Sequence, residues 1–315
     1  MKAPIDATMP AKFYNGAVDN AQPCADEWPV PSPHVTSVPM TNALSANPLG
    51  AAEPWDWVAE SYVEIAMPFL AQFAEVAIEK AQLKPTQRVL DVATGPGTLV
   101  CRIAKSVAGG CALDFSEEMV AKCKSRLQNL DIKNVAVTQG DGQALPYADA
   151  AFEVGFSMFG LMFFPDRMQG FRELFRVLVP GGSAYVTSWA PIDQSPLMLA
   201  RVAAQIAANP GTIPAHQNLM TIENPQLFEQ EMQEAGFIDV KIEPIYREME
   251  YCNLEELCAG LTRGSAPFEL LKRKVGDKEW DRQLGVMCDQ IASSYKSFPV
   301  RLGSTALLGS GRKPK

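Results

Sequence analysis

Over residues 55–83 apolar side chains recur at steps of three and four: Trp57, Val58, Tyr62, Ile65, Phe69, Phe73 and Val76. This is the period of an amphipathic helix, and Pro68 is expected to separate or kink two of them. The pattern then changes to short apolar runs alternating with helical stretches. Residues 88–92 read as a buried strand, followed by a glycine-rich turn and a helix over 98–107. Residues 111–114 form a second short strand, and Ser116 is positioned to cap a helix over 117–129. Strands follow at 135–138 and 152–156, then a helix at 168–178 ended by Pro180-Gly181-Gly182, then a fifth strand at 184–189. Asn224-Pro225 opens a helix running to residue 235, and a strand follows at 240–245. Residues 253–298 are mostly helical, with Asn253 as cap and Glu256 three positions on, and a last strand occupies 305–308. Strands alternating with helices of this length predict an α/β fold with a mostly parallel sheet covered on both faces. The last strand enters after a helical insertion and is expected to run antiparallel.

Residues 1–52 show no period and are rich in Pro, Ala, Asn and Asp, with Pro29-Val30-Pro31-Ser32-Pro33 disfavouring helix. They read as an irregular extension. Residues 53–315 then form one domain, with 53–83 and 253–298 as lid elements over it.

The chemistry concentrates where strands end. Val89-Leu-Asp-Val-Ala-Thr-Gly-Pro-Gly-Thr98 is a strand-to-helix turn, the place where open α/β sheets bind ligands. Gly95 and Gly97 would let a ligand approach the backbone, and the helix start offers free N–H groups. A dinucleotide site needs a third glycine for helix–strand packing, and Val100 stands there. Asp91 would repel a pyrophosphate but suits a ligand with an ammonium group. Asp114, 23 residues later at the end of the second strand, can take ribose hydroxyls, and Asp141 at the end of the third can accept from an adenine amino group. Each of these acids has a plainer reading as a solvated strand end or a helix cap.

Four blocks in order then resemble the class I S-adenosylmethionine (SAM)-dependent methyltransferases, in particular the ubiquinone/menaquinone-biosynthesis-like branch acting on small molecules. They are the turn with Asp91, the block Leu113-Asp114-Phe115-Ser116-Glu-Glu-Met119, Gly140-Asp141-Gly142-Gln143-Ala-Leu-Pro146, and Phe171-Arg-Glu-Leu-Phe-Arg-Val-Leu-Val-Pro-Gly-Gly182. Ala306-Leu-Leu-Gly-Ser-Gly-Arg-Lys313 is similar to that branch's last strand. The resemblance implies a Rossmann-like, seven-stranded sheet with a helical lid. It implies SAM as cofactor, with S-adenosylhomocysteine (SAH) as product, and a methyl transfer by in-line displacement. It places Asp91, Ala93, Thr94, Gly95 and Gly97 at the methionine end. Asp114, Phe115 and Met119 go to the ribose and adenine, and Asp141, Gly142 and Gln143 to the adenine edge. Ser157 and Met158 lie near the sulfonium, and Tyr62 and Trp57 on the lid helix. In the family's common Gly-x-Gly-x-Gly turn the first glycine is replaced here by Ala93. Plain packing is the alternative role for Met119, Trp57 and Tyr62.

Composition narrows the partners. Net charge is −8 and the one dense basic run, Lys272-Arg273-Lys274, reads as a solvated helix face, so no nucleic-acid partner is expected. Seven scattered cysteines without a CxxC pair give no metal or redox motif and fit a reduced, cytoplasmic location. No apolar run reaches the ~20 residues of a membrane span. The expected partner is a small molecule, probed by the apolar cluster Met158-Phe159…Leu161-Met162-Phe163-Phe164 after the fourth strand; a homodimer is compatible with the sequence. The two histidines are His34, in the extension, and His216, which is either a candidate general base or a surface-loop residue. No catalytic residue is assigned. A catalytically silent SAM-binding partner protein and a nicotinamide oxidoreductase are the alternatives, the latter opposed by Val100 and Asp91.

Overall fold

A computed structural model describes residues 47–210 and 222–315. His34, His216 and residues 1–46 of the extension lie outside the described residues.

Seven strands form one sheet: β1 (Arg88–Val92), β2 (Gly109–Asp114), β3 (Val135–Gln139), β4 (Phe152–Met158), β5 (Leu178–Trp189), β6 (Ile238–Tyr251) and β7 (Val300–Arg312). Their order is β3-β2-β1-β4-β5-β7-β6. β1 to β5 pair in parallel, and β7 runs antiparallel to both β5 and β6. The expected mostly parallel sheet with an antiparallel last strand is what forms. The central strands are buried on both faces, which is why they read as continuous apolar runs. The strand order reverses between β1 and β4, so their carboxyl ends open a crevice at the switch point.

Ten helices cover the sheet among the described residues: α1 (Glu53–Ser61), α2 (Met67–Ala81), α3 (Val100–Ile103), α4 (Glu117–Asn129), α5 (Arg167–Val177), α6 (Pro196–Ala208), α7 (Pro225–Glu234), α8 (Leu254–Thr262), α9 (Ala266–Val275) and α10 (Asp277–Ser294). Ser116, Asn224 and Asn253 cap α4, α7 and α8 through their side chains, as their sequence positions predict.

Several boundaries differ from the sequence expectation, each for a physical reason. The predicted helix 98–107 shrinks to α3 and a 3₁₀ turn over Ala104–Ser106, because left-handed residues extend the preceding turn as far as Gly97. Residues 62–66 form a π turn, and Pro68 sits harmlessly in the first turn of α2. α5 ends at Val177, and Pro180-Gly181-Gly182 lies inside β5. There the register against β4 jumps from Leu178–Phe152 to Ser183–Val154, with Gly181 at φ +80. β6 and β7 extend well beyond 240–245 and 305–308. β6 is a half-exposed edge strand, so Glu243, Arg247, Glu248 and Glu250 interrupt its apolar signal.

α2 is part of the core: Phe73, Ala74 and Ala77 are fully buried against the sheet. α1 instead lies across α4 and α9. Its Asp56 Oδ1 accepts from Ser116 Oγ at 2.5 Å and from the Glu118 amide at 3.2 Å, and Glu60 pairs with Lys122. Val58 and Ala59 pack with Leu49, Met119 and Ala266 beneath it. Trp57 faces outward, with the Arg273 guanidinium 3.8 Å from its ring centroid, so the basic run of α9 also braces α1. The run Glu53–Ala81 is 29 residues long and on average apolar enough to cross a membrane, though charged residues interrupt it. Phe69, Phe73, Ala74 and Ala77 are buried in the core, Val63, Ile65 and Met67 are half-buried, and Asp56 and Glu60 are bound to α4.

Candidate functional site

The turn after β1 is held open by three left-handed residues, Ala93 (φ +55), Gly95 (φ +56) and Gly97 (φ +77). The Thr94 amide donates to the Leu113 carbonyl at 3.0 Å, and the Gly95 amide donates to Asp114 Oδ2 at 2.8 Å, tying the β1 turn to the end of β2. The two glycines do different work. A Cβ on Gly95 would meet nothing within 4 Å, so the backbone there faces open space. One on Gly97 would lie 2.7 Å from Cys123 Sγ, so Gly97 permits α4 to pack rather than a ligand to approach.

That open space belongs to a cavity of about 460 Å³ at the carboxyl ends of β1, β2, β3 and β4. Ten predicted site residues line it: Tyr62, Ala93, Gly95, Asp114, Phe115, Met119, Asp141, Gly142, Gln143 and Met158. Asp91 and Thr94 line a small recess of about 30 Å³ that shares Tyr62, Ala93, Gly95 and Met158 with it. Gly97 and Ser157 line neither space. Ser157 is fully buried and its Oγ accepts from the Leu161 amide at 3.3 Å, holding the bend after β4.

Two carboxylates are buried in this wall. Asp91 is 1% exposed; its Oδ2 accepts from Thr94 Oγ1 at 2.7 Å, while Oδ1 has no partner among the described residues. Burial pushes its pKa up to about 7, against the pull of the Thr94 hydroxyl. Asp114 accepts from the amides of Gly95 and Ser116, and burial raises it to about 6 despite those donors. Burial first, and the Asp114 charge second, hold the Tyr62 phenol protonated. A buried carboxylate oxygen without a donor is costly, so a cationic ligand nitrogen at Asp91 would relieve a standing penalty. Asp141 is exposed and accepts from the Gln143 amide at 2.8 Å and its Nε2 at 3.0 Å; Gln143 Oε1 in turn accepts from the Asp166 amide at 2.7 Å. A Cβ on Gly142 would lie 2.5 Å from Phe164, so only glycine fits this floor.

A second cavity of about 180 Å³ lies beyond a shared wall of Leu49, Trp55, Tyr62, Phe159 and Phe163. Phe69, Trp189, Met198 and Met249 make much of it apolar; its polar members are Arg201, Tyr251, Ser265, Ser304 and Arg263, the last paired with Glu64 at 3.6 Å. Sequence reasoning named Tyr62, Phe159 and Phe163 of the shared wall and missed Leu49 and Trp55. Leu49 comes from the extension, where Asn47 accepts from the Leu49 amide at 3.0 Å to cap the 3₁₀ turn Pro48–Gly50; the Asn-Pro pair was a readable start signal. Trp55 holds that turn by donating Nε1–H to the Leu49 carbonyl at 2.9 Å and packs 5.1 Å from Phe163. α6, which carries Met198 and Arg201, was not read at all.

Residues 89–182 match a family model described as a methyltransferase domain. An uncharacterized protein of Mycobacterium tuberculosis is 32% identical over 149 residues, covering 47% of this chain and 54% of that protein. A demethylmenaquinone methyltransferase of Corynebacterium efficiens is 38% identical over 112 residues, covering 36% of this chain and 46% of its own. The chain thus spans about half the length of the curated relatives it matches. Among solved structures, a putative methyltransferase from Bacillus halodurans aligns with TM-score 0.52 at 19% identity, covering 77% of this chain and 99% of that one. The YcgJ protein of Bacillus subtilis aligns with TM-score 0.51 at 19% identity, covering 77% and 98%. These two show the fold.

Proposed function

We propose that this chain, which carries a class I SAM-dependent methyltransferase domain of the quinone-biosynthesis type, moves the methyl group of SAM to a small apolar or aromatic molecule. The observation that carries the reading is the buried, donor-less Asp91 Oδ1 beside a cavity that shares a wall with a second, apolar one. In this reading Asp91 takes the ligand's ammonium group, and the Gly95 backbone leaves room for the chain that bears it. Asp114 has lone pairs left after its two amide donors and takes the ribose hydroxyls, while Phe115 and Met119 flank the adenine. Asp141, Gly142 and Gln143 read the adenine edge. SAM supplies a methyl already activated on a positive sulfur, so the hard chemistry comes with the cofactor. The chain's own task is to align the acceptor and keep water out; orientation of this kind supplies roughly 7–11 kcal/mol of barrier lowering. Tyr62, Phe159 and Phe163 stand at the shared wall, where cofactor and acceptor would meet. The relatives named demethylmenaquinone methyltransferases support an aromatic acceptor. The scattered unpaired thiols suit a reducing, cytoplasmic setting.

Calorimetric titration with SAH, beside NAD and NADP, tests the cofactor. Wild type should bind SAH alone, and Asp114→Ala should lose about 100-fold in affinity, the size of one or two charge-assisted hydrogen bonds. Binding of a nicotinamide nucleotide instead would overturn the reading. SAH binding without methyl transfer to any aromatic quinol or phenol would favour a silent SAM-binding protein.

A further inference from the structure

The second cavity holds an unusual pair of polar groups for an apolar pocket. Arg201, on α6, donates Nε–H to the Leu261 carbonyl at 2.9 Å and Nη2–H to the Gly260 carbonyl at 3.3 Å, both at the carboxyl end of α8. Nη1 has no hydrogen-bond partner, and no carboxylate pairs with the guanidinium, among the described residues. Burial pushes the Arg201 pKa down, with the nearby Tyr251 phenol opposing. On β7, Ser304 is fully buried, and its Oγ has no partner among the described residues. Arg201 and Ser304 line the same cavity, alongside the rings of Phe69 and Trp189, stacked 11° from parallel at 6.3 Å.

The two carbonyls at the end of α8, and the Phe268 ring whose centroid lies 5.5 Å from Arg201 Cζ, account for part of the guanidinium. They supply no full negative charge, and they leave Nη1 and the Ser304 hydroxyl unexplained. A half-buried cation with no anion beside it and a fully buried hydroxyl with no partner would each gain from a ligand that supplies one. A ligand that brings a carboxylate satisfies both: Arg presents a planar fork that matches carboxylate geometry, and a serine hydroxyl donates to the same group. The flat aromatic walls suit a planar body attached to it.

We infer that the second cavity binds a planar aromatic carboxylate, with the carboxylate on Arg201 and Ser304 and the ring system between Arg201 and the shared wall at Tyr62. This rests on the methyltransferase reading, because it makes that carboxylate the methyl acceptor or its close analogue. It narrows the acceptor from an apolar molecule to an anionic aromatic one.

The test is calorimetric titration of the SAH-loaded protein with 2-naphthoate and, as a neutral isostere, 2-naphthamide. Wild type should bind the naphthoate at least about tenfold more tightly than the amide, the size of one charge-assisted hydrogen bond. Arg201→Gln should abolish that preference while leaving affinity for SAH and for 2-naphthamide unchanged. Arg201→Lys, which keeps the charge, should retain part of it, and Ser304→Ala should lose a fewfold of naphthoate affinity only. SAH binding with equal affinity for the two naphthalenes, or a preference that survives in Arg201→Gln, overturns the inference and leaves the methyltransferase reading standing. Failure of SAH to bind overturns both. A fall in SAH or naphthamide affinity in Arg201→Gln matching the fall for naphthoate makes Arg201 a strut between α6 and α8, and also overturns it.

Discussion

The two cavities that meet at Tyr62 and Phe159 are made of different parts of the chain. The larger is framed by four strand ends, residues 93 and 95 after β1, 114 and 115 at β2, 140–143 after β3 and 158–160 after β4, and is closed over by residues 49–53, Trp55 and Tyr62. The smaller is built from side chains scattered from Leu49 to Ser304, on helices and strands that are distant in sequence. The first, with the recess beside it, carries the buried acids Asp114 and Asp91, and the second carries the half-buried cation Arg201. One chamber is therefore suited to a positively charged ligand and its neighbour to a negatively charged one, with an apolar partition between them. The difference is one of construction: a larger chamber framed by short local turns, and a smaller one assembled by tertiary packing.

The strongest way to break that comparison is at Asp91. Replacement by Asn keeps an acceptor for Thr94 Oγ1 and removes the charge. SAH affinity should fall by about 100-fold, the cost of losing a charge-assisted contact and leaving an ammonium poorly matched. Stability should move the other way. Burial raises the Asp91 pKa from an ordinary 3.8 to about 7, so the ligand-free folded state binds the extra proton between those values. The stability this proton confers is complete below pH 3.8 and is lost as pH rises through 7. At pH 8 the ligand-free Asn variant should thus be more stable than wild type, on the order of 1–2 kcal/mol by denaturant unfolding. Its stability should also fall less steeply between pH 4 and 7. In wild type, SAH affinity should weaken as pH drops below 7, a dependence the variant lacks. A variant that binds SAH normally at every pH would remove Asp91 from the cofactor chamber.

This contrast also explains what could be read beforehand. Asp91, Asp114 and Asp141 were legible because each stands at or just past the end of a short strand, a few residues from a glycine that marks the turn. The five parallel strands were legible from the same runs, but their order in the sheet was not. Arg201 was not legible, because nothing in Pro196–Ala208 distinguishes an arginine that lines a cavity from one on a solvated face. Ser304 sits on β7 between Gly303 and Thr305, and only pairing with β6 determines which face it shares with Met249 and Tyr251. Gly97 was misread for the opposite reason. It has the sequence context of a ligand-facing glycine, yet the sulfur of Cys123 on α4 fills the space beside it. Local turn chemistry is a property of a few consecutive residues; what fills the space over a turn is not.

Helix α1 gives a milder test. Asp56 joins α1 to the start of α4 through Ser116 Oγ and the Glu118 amide, directly above the Asp114 that lines the larger chamber. Asp56→Ala removes both bonds without touching the chamber wall. By stopped flow, SAH should dissociate about threefold to tenfold faster, in line with the net value of one or two partly exposed hydrogen bonds. The naphthoate preference set by Arg201 should not move. An unchanged dissociation rate would mean that α1 is held over the cleft by Leu49, Val58, Ala59 and Met119 alone.

The smallest effect is expected at Ala93, where the β1 turn departs from a Gly-x-Gly-x-Gly pattern. Ala93 adopts φ +55, a conformation that costs an L-residue about 1–2 kcal/mol and glycine almost nothing. Ala93→Gly relieves that strain, but the extra freedom of an unfolded glycine returns about 0.4–1 kcal/mol of it. The two nearly cancel, so unfolding free energy should rise by less than about 1 kcal/mol and SAH affinity should stay within about threefold. What confines this position is the neighbour across the turn. A Cβ on Gly160 would come 2.3 Å from the Ala93 Cβ, so the two residues share space for a single methyl group. A marked gain in SAH affinity for Ala93→Gly would mean that this methyl intrudes on the cofactor chamber. A marked loss of stability would mean that it is a packed contact holding the β1 and β4 turns together. Either result would show that even the local, legible half of the molecule depends on a tertiary contact.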